Sequence, residues 1–172
     1  MRKLLLLSLG ALLCFSLRSV GQVGEKVGMV KLLNMEKDTV DLPFLGEKNL
    51  LIFYADPDKP KQNKSFRNYF RKHPVNGKAI ASYGIINMAA APMIPDGLIL
   101  QKARKETEGT KAELYIDPDK VLSTAWRLPG ADRNFTVIFV NRNRVIEFYK
   151  AGQLSGAEQK QVMALLQKYG NR

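Results

Sequence analysis

Cysteine is all but missing from this sequence, where Cys14 is the only one. Histidine is as scarce, with His73 alone, and Trp126 is the single tryptophan. One Cys and one His cannot supply the ligand set of a zinc site. No second thiol is present to form a disulfide or a reactive dithiol. No glycine-rich phosphate loop and no pair of catalytic carboxylates stands out. No cofactor or metal is therefore expected. What the chain has in excess is basic charge, 27 Lys and Arg against 16 Asp and Glu, a net +11.

The first residues fall into three zones. Met1-Arg2-Lys3 is cationic, Leu4 to Leu17 is nearly unbroken apolar sequence, and Arg18-Ser19-Val20-Gly21-Gln22 follows. This is the order of a secretory signal, with small residues at Ser19 and Gly21 before the expected cut after Gly21. The apolar run is about 14 residues, short of the ~20 that span a bilayer as a helix. Cys14 lies inside that run between Leu13 and Phe15, which is no setting for lipid attachment, and it is expected to leave with residues 1–21. Losing Arg2, Lys3 and Arg18 leaves 24 basic residues against 16 acidic, a net charge of +8. An exported, periplasmic or secreted protein is expected, and thiol chemistry is excluded from its mature part. In that location a basic surface would meet anionic lipid, an acidic polymer or an acidic protein before nucleic acid.

Residues 22–172 contain no linker or low-complexity stretch, so a single domain is expected. Val27–Leu33 and Val40–Leu45 read as short strands. Leu50-Leu51-Ile52-Phe53-Tyr54 is a continuous apolar run, as in a strand buried on both faces. Over Lys61–Lys72 the period becomes helical, with Phe66, Tyr69 and Phe70 on one face and Lys64, Arg67, Arg71 and Lys72 on the other. A strand around Ile80–Met88, a helix near Gly97–Glu108 and a strand at Leu114–Ile116 follow. Phe135–Val140 and Val145–Tyr149 form a hairpin across Asn141–Arg144. Ser155 and Glu158 fit a capping box for a last helix with Val162, Met163, Leu166 and Tyr169 as its apolar stripe, stopped by Gly170. This order predicts an α/β fold, a central mixed β-sheet flanked by helices on the thioredoxin-like plan.

The segments Leu114-Tyr-Ile-Asp-Pro-Asp-Lys-Val-Leu-Ser-Thr-Ala-Trp126, Phe135-Thr-Val-Ile-Phe-Val-Asn141, Ala151-Gly-Gln-Leu-Ser-Gly-Ala-Glu158 and Gln161-Val-Met-Ala-Leu-Leu-Gln167 resemble the YtfJ family of small exported bacterial proteins. Tyr83-Gly-Ile-Ile-Asn87 is similar too. The resemblance covers about half of the mature chain and implies a thioredoxin-like fold, a periplasmic or secreted location and no established catalytic activity. An oxidoreductase of that fold carries Cys-x-x-Cys after its first buried strand, at a helix start that lowers the thiol pKa. Here Asp58-Lys59-Pro60-Lys61 stands at that place. Asn134-Phe135 stands where such enzymes keep a cis-proline.

Three functions are weighed. The first is a non-redox module of the cell envelope that binds a protein or peptide, with Asp58, Lys59, Pro60 and Lys61 as candidate contacts. The second is a basic module docking on anionic membrane or polymer through Lys64, Arg67, Arg71 and Lys72. The third is an enzyme using carboxylates, for which no catalytic residue can be named. The repeated Asp56-Pro57-Asp58-Lys59 and Asp117-Pro118-Asp119-Lys120 read as turns, because the spacing of a calcium loop is lacking. His73 reads as the end of a helix, and Trp126 as core.

Overall fold

The computed structural model describes residues 22–170. The expected signal segment, with Cys14 and the cut after Gly21, lies outside them. Two short strands open the fold, β1 (Lys31–Leu33) and β2 (Thr39–Asp41), paired antiparallel. The apolar run becomes β3 (Asn49–Ala55) and leads to helix α1 (Lys64–Lys72). Then come β4 (Ile80–Asn87), α2 (Asp96–Thr107), β5 (Glu113–Asp117) and a short α3 (Val121–Ala125). The hairpin β6 (Thr136–Val140) and β7 (Ile146–Ala151) precedes α4 (Gly156–Gly170).

These strands make one seven-stranded sheet in the order β2-β1-β5-β4-β3-β6-β7. The three strands β5, β4 and β3 run parallel, and β1 and β6 flank them antiparallel. Parallel neighbours need crossovers through helices, and the resulting burial on both faces explains why β3 and β4 are almost wholly apolar. Alternation along β3 divides the core. Leu50, Ile52 and Tyr54 face a cluster with Leu122, Trp126 and the N-terminal Val27 and Val30. Leu51 and Phe53 face Phe66 and Phe70 of α1 and Val162 and Leu166 of α4. A third, smaller cluster joins Ile86 and Ile116 to Ile99 of α2.

The capping box forms as expected: the Glu158 N–H donates to Ser155 Oγ at 3.2 Å, and the Ser155 N–H donates to Glu158 Oε2 at 2.6 Å. Met163 departs from the expected stripe and is exposed, since α4 buries only Val162 and Leu166. Gly170 is itself helical and does not stop α4 ahead of it. Trp126 is buried and its indole N–H donates to the Gly28 carbonyl at 2.9 Å, tying the start of the described chain to α3. His73 caps the C-terminus of α1, its N–H donating to the Tyr69 carbonyl at 2.9 Å.

Candidate ligand groove beside the strand three loop

The loop leaving β3 is shaped by its own polar groups. Asp56 is buried; its Oδ1 accepts the Asp58 N–H at 2.8 Å, and its carbonyl accepts the Lys59 N–H at 3.0 Å. That is the expected Asp-Pro turn. Burial pushes the Asp56 carboxyl above its usual range, with the Asp58 N–H opposing. The second copy does more than turn the chain. Asp117 accepts the N–H groups of Val121 and Leu122 at 2.7 and 2.9 Å, capping α3, and also the Tyr54 hydroxyl at 3.0 Å.

After Asp56 the chain does not enter a helix at once. Asp58, Lys59, Pro60 and Lys61 are all exposed and lie in successive turns. The helix begins only at Lys64, because Asn63 sits at φ 54°, ψ 26° in the left-handed region. A residue other than glycine holds that conformation when local bonds secure it, and here they do. The Asn63 N–H donates to Gln153 Oε1 at 2.9 Å and its Nδ2 donates to the Gly152 carbonyl at 2.8 Å. Its Oδ1 accepts the Leu154 N–H at 2.8 Å. Positions 58 and 61 are thus removed from the helix N-terminus that would stabilise a thiolate.

Gln62 ties the same loop to the far side of the sheet edge. Its Oε1 accepts the Phe135 N–H at 2.7 Å and its Nε2 donates to Asn134 Oδ1 at 3.0 Å. The peptide between Asn134 and Phe135 is trans. One amide side chain thereby holds the Phe135 N–H and the Asn134 side-chain oxygen, in the segment where an oxidoreductase of this fold would keep its cis-proline. No signal in the sequence marked this contact, since the two residues are 73 positions apart.

Next to the loop a groove of about 350 Å³ opens between α1 and α2. Its floor follows from one residue. Gly84 is centred on β4, in register with Phe53 of β3 and Leu114 of β5. A Cβ built there would meet Leu114 Cδ2 at 2.7 Å. Leu114 leans into the volume a side chain at 84 would take, and Gly84 and Leu114 together form the floor beneath the two helices. Phe53, Phe70 and Leu114 line the space, and Leu98 of α2 is 56% exposed on its wall. The adjoining Met93 is 90% exposed. Sequence reading passed over Gly84; a glycine inside an otherwise apolar central strand was the available signal.

The basic residues of α1 do not share one solvated face. Lys64 and Lys72 are exposed, whereas Arg67 and Arg71 are half-buried and line the groove. Arg67 Nη2 donates to the Pro60 carbonyl at 2.6 Å, and its guanidinium lies 5.0 Å from the Phe135 ring centre. Its Nε is buried without an acceptor, and burial pulls its pKa down. Tyr69, expected beside Phe66 and Phe70, is instead 48% exposed and packs on the His73 ring. The helix rests on the sheet along Phe66, Phe70 and the Arg67 side, so Tyr69 is turned outward.

No family model and no curated protein matches the chain. Solved structures do. A protein of Neisseria meningitidis assigned as a thioredoxin superposes with a TM-score of 0.62 at 15% identity, over 84% of this chain and 91% of that one. The pneumococcal exposed lipoprotein thioredoxin of Streptococcus pneumoniae gives 0.59 at 9% identity, over 82% and 99%. A thiol-disulfide oxidoreductase of Bacteroides fragilis gives 0.58 at 13% identity, over 83% and 99%. At such identities the likeness speaks for architecture alone, and it establishes a thioredoxin-like fold.

Proposed function

We propose that this chain is an exported binding protein of the cell envelope, in the manner of the YtfJ family, that keeps a thioredoxin-like fold without thiol chemistry. Residues 1–21 act as the signal and residues 22–172 as one binding domain. A protein or peptide partner meets the exposed Asp58-Lys59-Pro60-Lys61 turn.

The observation that carries this reading is the Gln62 bridge to Asn134 and Phe135. It joins the two segments between which an oxidoreductase of this fold works, and it joins them through an amide that cannot cycle electrons. Export is supported by the charge and hydropathy order of the first residues. Insulin reduction and hydrogen peroxide consumption by the purified protein are expected to match buffer alone. Sustained turnover in either assay would overturn the reading.

A further inference from the structure

The groove between α1 and α2 combines two properties that favour one class of ligand. Its floor and walls are apolar, formed by Phe53, Phe70, Leu114 and the bare Gly84 backbone, and its size falls at the lower end of the roughly 300–1,000 Å³ typical of small-molecule sites. The Arg67 guanidinium is drawn into it. Among the described residues only Nη2 of that group is hydrogen-bonded; Nε is buried without an acceptor, and Nη1 is neither bonded nor buried. The planar fork of a guanidinium is matched geometrically by a planar carboxylate.

Other charges at the groove do not meet that need. Glu106, exposed on the opposite wall, is the carboxylate that acts most on Arg67, yet the two form no ion pair. Asp56 is engaged in its own turn, and Glu113 Oε2 accepts the Tyr115 hydroxyl at 3.1 Å. Arg71 and Lys102 add positive charge to the same lining. The overall excess of basic residues draws anions toward it.

We infer that this groove binds a small amphipathic anion, an apolar chain lying over Gly84 with its carboxylate on the Arg67 guanidinium. This goes beyond the partner-binding reading of the Asp58–Lys61 turn and stands without it. The chain displaces water from Phe53, Phe70 and Leu114, which supplies affinity in proportion to the apolar area covered. The carboxylate takes the unbonded Nη1 of Arg67 and selects acids over neutral molecules of the same length.

Isothermal titration of the purified protein with dodecanoate, kept below its micelle concentration, and with dodecanol tests this directly. Dodecanoate is expected to form a one-to-one complex at least about tenfold tighter than dodecanol, the loss that follows from removing a charge-assisted hydrogen bond. Arg67→Met should bring the acid down to the level of the alcohol, and Arg67→Lys should restore part of the preference. Gly84→Leu should block both ligands by filling the floor. Should that variant not fold, the Arg67 pair still decides the matter. No complex with dodecanoate at millimolar concentration would overturn the inference, as would an acid preference that survives Arg67→Met.

Discussion

Gln62 Oε1 lies 2.7 Å from the Phe135 backbone nitrogen and accepts its proton across 73 residues of sequence. With the companion bond to Asn134 it fixes the loop after β3 against the start of β6. Gln62→Ala removes both bonds and leaves the N–H of a buried phenylalanine without a partner. The expected loss is about 1–3 kcal/mol of unfolding free energy, read by urea denaturation. A change within about 0.5 kcal/mol would mean the bridge is replaced by solvent.

Asn63 offers a separable test of backbone and side chain. Asn63→Ala loses the bonds to Gly152 and Leu154 and places a Cβ without compensation at positive φ. Asn63→Gly loses the same bonds but tolerates the conformation. Both variants should be destabilised, the alanine by about 1 kcal/mol more than the glycine. Equal stability of the two would show that the left-handed turn carries no strain.

The basic residues of α1 should divide by burial, Arg67 on one side and Lys64 and Lys72 on the other. Arg67→Gln is expected to destabilise the protein, because its stem and guanidinium pack on Phe135 and bond Pro60. Lys64→Gln and Lys72→Gln should leave stability within about 0.5 kcal/mol. Thermal unfolding of the three single variants reads the difference. A membrane-docking role would show separately, as binding to anionic vesicles that fades with salt and with neutralisation of Lys64 and Lys72.

Glu147 and Glu158 both carry depressed carboxyls, and Glu147 offers one test of acid sensitivity. Burial raises its pKa, but hydrogen bonds from Tyr169, Asn141 and Lys168 outweigh burial, and the net shift is downward. A carboxylate depressed in the folded state contributes stability above its unfolded value, about 4.3, and loses it as pH falls through the folded one. Wild-type stability should therefore decline below about pH 4.3, and Glu147→Gln should flatten that decline. Urea midpoints measured across the acid range give the comparison. An unchanged slope in the variant would assign the acid loss elsewhere.

The sequence carried the fold further than the site. Long apolar runs announced β3 and β4, and the box Ser155–Glu158 located the start of α4 to the residue. The five residues of α3 were too few to show a period, so the capping role of Asp117 looked like a plain turn. Tyr69 and Met163 sat at plausible helical spacing, yet which arc of a helix meets the sheet is decided by packing. Position 58 to 61 was legible because it follows an apolar strand. Its separation from the helix was not, since it depends on Asn63 bonding to Gly152 and Leu154 about 90 residues later. The groove was equally hidden, because it arises from Gly84 aligning with Phe53 and Leu114 on separate strands.

Under the proposed non-redox reading, the redox site is absent in the backbone as well as in the side chains. Restoring the thiols tests it most directly, by measuring dithiothreitol-driven insulin reduction with the Asp58→Cys/Lys61→Cys variant. With positions 58 and 61 in exposed turns ahead of the left-handed Asn63, and Gln62 holding Phe135, the variant should not accelerate the reaction beyond the unaltered protein. Catalytic turnover by the double variant would contradict the account, because it would show that only the cysteines had been lost.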